Sequence, residues 1–170
     1  MACTTLASIT KGCTNNIGGI VSVYLNDQTN ITGTTVDTAN WEVTAITKSA
    51  PFVEFQFARN VGNYTEDGQI SPENGSTFYK QTVMLKLFLR EASKSKAINI
   101  AGEGQRELAI VVGDANGNFW YFENAQLATD TGGSGTAKAD GSNYEISFTS
   151  ESLHKAYEVD PTIIAGLLTP

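Results

Sequence analysis

The chain has 170 residues, 41% of them hydrophobic and 17% charged, enough for a single domain burying roughly 70% of its unfolded surface. Eighteen acidic residues against eleven basic ones give a net charge of −7, which repels phosphate and argues against tight DNA binding, because such binding draws on counterion release by basic side chains. One histidine and two cysteines are too few for an ordinary His/Cys zinc site and exclude catalysis that needs two histidines, so the composition points away from an enzyme.

The segment from Met1 to Ile9 has neither a basic start nor an apolar stretch of signal-peptide length, and the expectation is synthesis in and retention by the cytoplasm. Apolar runs such as Leu108–Val112 fall far short of the ~20 residues that cross a bilayer, so no membrane partner is expected. Cys3 and Cys13 could close a small loop; a reduced pair is the reading for a cytosolic chain. The sequons at Asn30, Asn63 and Asn74 read as Asn-rich turns.

From there the hydrophobic period is two, broken at short intervals by turn residues, which predicts an antiparallel β domain. Gly19 to Leu25 places Val21, Val23 and Leu25 on one face and ends at Asn26-Asp27. A second strand runs from Trp41 to about Thr47. Phe52 to Val61 alternates Val53, Phe55, Phe57 and Val61 against Glu54, Gln56, Ala58 and Asn60. Thr77 to Arg90 puts Tyr79, Val83, Leu85, Leu87 and Leu89 opposite Lys80, Thr82, Lys86 and Arg90, and at ~3.3 Å per residue spans some 45 Å. Its predicted partner is Phe52–Val61, across a polar segment, Asn60 to Ser76, that forms a mobile tip. The resulting hairpin, about 52–90, is marginal as a lone ribbon and is expected to be completed by a neighbouring copy.

Glu91 to Ala101 switches to helical spacing, with Gly102 as its stop. Strands resume at Glu107–Gly113 and Asn118–Asn124, joined by a hairpin at Asn116-Gly117. Thr129 to Gly141 reads as a flexible loop, Asn143 to Thr149 as a last strand with Tyr144, Ile146 and Phe148 inward. The tail, about 159–170, stays apolar to its end, which calls for docking on this subunit or the next.

No motif amounts to a catalytic, cofactor or metal site. Asp114-Ala115-Asn116-Gly117-Asn118 has its glycine at the wrong position for a calcium loop, and Gly132–Thr136 lacks the lysine of a phosphate cradle. His154, near Ser150 and Ser152, reads as a surface residue beside Lys155; Trp41, Trp120, Tyr121 and Phe122 read as core, with a sugar- or base-stacking platform as the alternative. Charge is unevenly placed: Lys80 to Arg106 holds six basic and two acidic residues, a pattern that suits head-to-tail contacts between copies.

The order of these elements, with the runs Glu107–Asn118 and Asp140–Phe148, resembles the tail tube proteins of tailed bacteriophages. That resemblance implies one mainly β, sandwich- or barrel-like domain over 1–170, with a long hairpin and one short helix. It implies virion subunits, without any cofactor or chemistry, that are made in the host cytoplasm, close into rings, six to a ring, and stack into a tube passing DNA without tight binding. Its partners are copies of itself and other virion proteins. On this reading Val83, Leu85, Leu87, Ile163, Ile164, Leu167 and Leu168 are candidate subunit-interface residues, and Glu54, Gln56, Asn60, Lys80 and Lys86 are candidates to face the lumen. Alternatives are a tail terminator, a connector ring or a capsid-associated protein, or a β-sandwich module that binds carbohydrate or protein.

Overall fold

The computed structural model describes residues 6–169. It is mainly β, with ten strands: β1 (Ile20–Asp27), β2 (Ile31–Asp37), β3 (Glu42–Lys48), β4 (Val53–Glu54), β5 (Gly62–Ser71), β6 (Ser76–Phe88), β7 (Leu108–Asp114), β8 (Phe119–Gly133), β9 (Asn143–Ser152) and β10 (Tyr157–Val159). Two helices, α1 (Ala92–Gly102) and the short α2 (Ile164–Leu167), complete it. The larger sheet has the order β2-β3-β10-β8-β7-β1-β4; a second has the order β5-β6-β9-β8. Strand β8 belongs to both, its first half pairing with β7 and its second with β9. It turns the corner at Asn124, whose φ of +52° is a left-handed value that asparagine tolerates.

The two sheets enclose a core of Val23, Leu25, Val83, Leu85, Leu87, Ile110, Val112, Phe122, Ile146 and Phe148, and α1 closes one side with Ile98 and Ala101. On the opposite face of the larger sheet a second cluster, built on Val43, Phe52, Val111 and Val159, is covered by α2 through Ile164 and Leu167. Strand β7 lies between the clusters and is buried at every position, which accounts for its continuous apolar run instead of an alternating one. The apolar tail therefore docks on its own subunit, where the Leu167 carbonyl accepts the Phe52 amide at 2.9 Å.

Several expected elements are corrected by the pairing. The partner of the long strand is not Phe52–Val61 but β5, drawn from the polar segment expected to be a mobile tip; Ser71 pairs with Ser76 around a turn in which Gly75 takes φ +64°. Of Phe52–Val61 only Val53–Glu54 is strand, on β1; Phe55 and Phe57 still pack on the core, while Val53 points out. Strand β6 is completed by this chain's own β9 rather than by a neighbour. In β1 an irregularity between Ile20 and Ser22 puts Ile20 in the core and leaves Val21 exposed, reversing the expected face there. The Thr129–Gly141 loop is strand as far as Gly133, held by β9. Cys13 is exposed, and Cys3 lies outside the described residues.

Candidate functional site: a four-stranded sheet with two open edges

The interface and lumen candidates fall into different places. Val83, Leu85 and Leu87 point inward from β6 into the core, and Ile164 and Leu167 are buried under the tail, so these residues hold one subunit together. Ile163 is half-buried in the same cluster, and Leu168 alone of the seven keeps substantial exposure, at 40%. An alternating apolar face reports that something covers it; it does not report whether the cover is the chain's own second layer or another copy.

The lumen candidates also separate. Glu54 lies on β4 and accepts the Gln56 side-chain amide at 3.1 Å beside α1, and Asn60, with φ +61°, sits in the turn before β5. None of the three is on the β5-β6-β9-β8 sheet. Lys80 and Lys86 are, on its outer face.

That outer face is the most distinctive surface of the molecule. Register places Thr65, Thr82, Thr149 and Gln126 in one row across the four strands, and Asn63, Met84, Ser147 and Thr129 in the next. Lys80 lies between Asp67 and Glu151, and Lys86 pairs with Glu145 at 2.7 Å. Each lysine thus has a carboxylate on a neighbouring strand, and apart from the exposed Met84 and Phe88 the face is made of hydroxyl and amide groups carrying little net charge. Such alternation, polar outward and apolar inward, is what a half-wet antiparallel sheet requires.

Both outer edges of this sheet are open. Among the described residues β5 has no ladder partner but β6, and the stretch Ala128–Gly133 of β8 has none but β9 and is exposed throughout. The Lys86 amide donates to the Val61 carbonyl at 3.0 Å, so in the continuing ladder Tyr64, Glu66, Gly68 and Ile70 turn their amides and carbonyls to the open side. Ten residues of unpaired edge are a template for another strand.

The edge strand is fixed to the body by a partly buried polar network. Glu66 Oε1 accepts the Ala156 amide at 2.6 Å and the Gln81 side-chain amide at 3.0 Å, while Gln81 Oε1 accepts the Ser150 hydroxyl at 2.9 Å. Further down the strand, desolvation pushes the Tyr64 hydroxyl up to about 12, with the carboxylates of Asp114 and Glu66 adding to the effect, so it stays neutral. At the far end the Ser95 hydroxyl holds the Tyr144 phenol below its usual value, with Arg90 lying 5.0 Å from the ring centroid.

The remaining sequence candidates take structural places. Asp114 Oδ1 accepts the amides of Asn116 and Asn118 at 2.8 and 3.0 Å, and Oδ2 accepts the Trp120 indole at 3.1 Å, so its carboxylate organises the β7–β8 turn. Among the described residues no three His, Cys, Asp or Glu side chains are grouped to hold a metal. Ser150 bonds Gln81 and not His154, whose Nδ1 lies 2.9 Å from the Lys155 carbonyl oxygen. Tyr121 and Phe122 are buried; Trp41, 43% exposed, lies against Tyr157 with ring centroids 4.7 Å apart and planes tilted by 44°. Of the basic stretch, Lys86, Lys94 and Arg106 are already paired, with Glu145, Glu91 and Asp27.

The open edge at β5 was missed in the sequence because its ten residues hold only two large apolar side chains, Tyr64 and Ile70. The signal that marks it is the Asn74-Gly75 turn followed by a long alternating strand, which asks for a partner of equal length immediately upstream. Compared with known proteins, the chain matches no family model and no curated relative.

Proposed function

We propose that this chain is a self-assembling structural subunit of a phage-like virion, a tail tube protein whose copies close into a ring by joining the β5 edge of one to the β8 edge of the next. The observation that carries this reading is the sheet with two open edges. Its four strands alternate in direction, so a head-to-tail neighbour would bring an upward β5 beside a downward β8 and continue the antiparallel pattern without a break. Closure would remove the exposed edges that otherwise invite unregulated pairing.

Six copies would supply 24 strands, and at ~4.8 Å spacing with a tilt of ~40° such a barrel has a backbone diameter of roughly 48 Å, wide enough for duplex DNA to pass. With its hydroxyl- and amide-bearing face turned to the bore and both lysines flanked by acids, the wall would offer phosphate little counterion release and let it slide. The chain acts in this reading by assembly, without chemistry.

Negative-stain electron microscopy with light scattering across a concentration series tests it, alongside Gly68→Pro. Gly68 turns its amide to the open edge, and a Cβ there would meet the Tyr79 ring at 3.5 Å, an ordinary contact. Rings or tubes are expected from the native chain, and folded monomers from the variant. A native chain that stays monomeric at high concentration, or a variant that still forms rings, would overturn the edge-joined subunit and direct attention to glycan and protein ligands.

A further inference from the structure

The dipeptide Asn-Gly occurs twice in the chain, at Asn74-Gly75 in the β5–β6 turn and at Asn116-Gly117 in the β7–β8 turn. The pair is chemically as well as conformationally special. With no Cβ on the second residue, the glycine nitrogen can approach the carboxamide carbon of the asparagine before it and close a cyclic imide. Both asparagines and both glycines are exposed, the glycines take φ values of +64° and +93°, and a Cβ on either would meet nothing within 4 Å. Access therefore does not separate the two turns.

Hydrogen bonding does separate them. The Asn116 carboxamide is held at both ends: its Oδ1 accepts the Ile17 amide at 2.9 Å, and its Nδ2 donates to the Ile17 carbonyl at 3.0 Å and to Asn16 Oδ1 at 3.3 Å. The Gly117 amide, the nitrogen that would attack, donates to the Asp114 carbonyl at 3.2 Å, and Asp114 Oδ1 accepts the amides of Asn116 and Asn118 on either side of it. All the bonds on the carboxamide must open before Cγ can turn to that nitrogen, and net hydrogen bonds of ordinary strength lost together suppress the reactive state by about tenfold or more. At the other turn, among the described residues, the Asn74 carboxamide forms no such bond and the Gly75 amide donates to no carbonyl.

We propose that Asn74 is a site of spontaneous deamidation in the folded protein, and that the fold protects the same dipeptide at Asn116. Base removes the Gly75 amide proton, the nitrogen attacks Asn74 Cγ to form the imide C–N bond, and the carboxamide nitrogen leaves as ammonia after taking up a proton. Water then opens the ring. Opening at Cγ gives aspartate; opening at the main-chain carbonyl gives isoaspartate, in which the chain runs on through Cγ. Water is the sole co-reactant and nothing is oxidised or reduced. Either product adds a carboxylate beside Glu73 at the hairpin tip, and isoaspartate also lengthens the turn by one carbon. That turn sets the Ser71–Ser76 register, and among the described residues β5 has β6 as its one partner, so the amides of Gln69 and Ser71, which face β6, are the first to loosen. The reaction does not depend on ring closure.

Peptide mapping by mass spectrometry of the full chain, aged in mildly alkaline buffer with and without denaturing urea, tests the proposal. In the folded chain Asn74 should convert about tenfold or more faster than Asn116, and in urea, where the restraints on Asn116 are gone, the two should react at nearly equal rates. Asn74→Gln, whose longer side chain closes a larger ring with difficulty, should abolish the acidic form that accumulates on ageing. Hydrogen exchange on the separated isoaspartate form should show faster exchange at Gln69 and Ser71 than in the fresh chain. Asn116 keeping pace with Asn74 in the folded chain, the same preference persisting in urea, or an Asn74 that stays intact in the fold while both sites react in urea would each overturn the proposal.

Discussion

Removing the Glu66 carboxylate tests how the edge strand is held to the body. Its Oε1 serves two donors at a half-buried position, the Ala156 amide at 2.6 Å and the Gln81 side-chain amide at 3.0 Å, and Ala156 and Gln81 are each only 3% exposed. Glu66→Ala leaves the Ala156 amide without an acceptor and the Gln81 side-chain amide with only the His154 carbonyl at 3.4 Å, and an orphaned buried donor costs ~1–3 kcal/mol, so a loss of about 1–3 kcal/mol is expected. At ~2–4 °C per kcal/mol for a chain of this size, the thermal midpoint should fall by about 2–12 °C. Glu66→Gln keeps a carbonyl oxygen in the same place and should cost less than about 1 kcal/mol. Urea unfolding of the three proteins at one pH measures both differences. An alanine variant within 0.5 kcal/mol of the native chain, a threshold at about the low end of one net hydrogen bond, would refute the network's role. A glutamine variant as damaged as the alanine one would show that charge, not the acceptor, matters.

Further predictions concern other parts of the molecule. Burial raises the pKa of Glu158, helped by repulsion from Glu42, its neighbour across the β10–β3 ladder, and from Asp114. A carboxyl with a raised folded-state pKa loses stability as pH rises above its unfolded value, so Glu158→Gln should be more stable than the native chain at pH 7 and lose that advantage below pH 4, by thermal melts across pH. Gly113→Ala would drive a methyl into the Ser22 hydroxyl and to within 2.8 Å of the Phe119 ring, and overpacking of this kind should cost about 1–3 kcal/mol in denaturant unfolding. Lys86→Ala breaks a solvent-accessible pair with Glu145 and should change the stability of the isolated subunit by no more than about 1 kcal/mol.

Much of the fold is legible in the chain because its strands alternate or run apolar where one or both faces are covered. The long strand at β6, the buried run at β7 and α1 all carry such patterns and lie within a residue or two of their expected bounds; the β7–β8 turn also falls where expected, but β8 runs on to Gly133, nine residues beyond the expected end at Asn124. What stays hidden is pairing choice. Phe52–Val61 carries the stronger alternation, yet its phenylalanines pack on the core without a ladder, and the weakly apolar β5 takes the place beside β6 because a tight turn joins the two directly and sets their register. The candidate site suffers the same ambiguity. Val83 and Leu167 are apolar for reasons internal to the subunit, whereas the open edge is made of backbone groups that no side-chain pattern announces.

Backbone amide hydrogen exchange on assembled particles and on dilute monomer would test the edge-joined ring most directly. The account predicts that the amides of Tyr64, Glu66, Gly68 and Ile70, open to solvent in the monomer, slow strongly on assembly together with those amides of residues 128–133 that are not bonded to β9. Assemblies in which these amides continue to exchange as fast as in the monomer would contradict it.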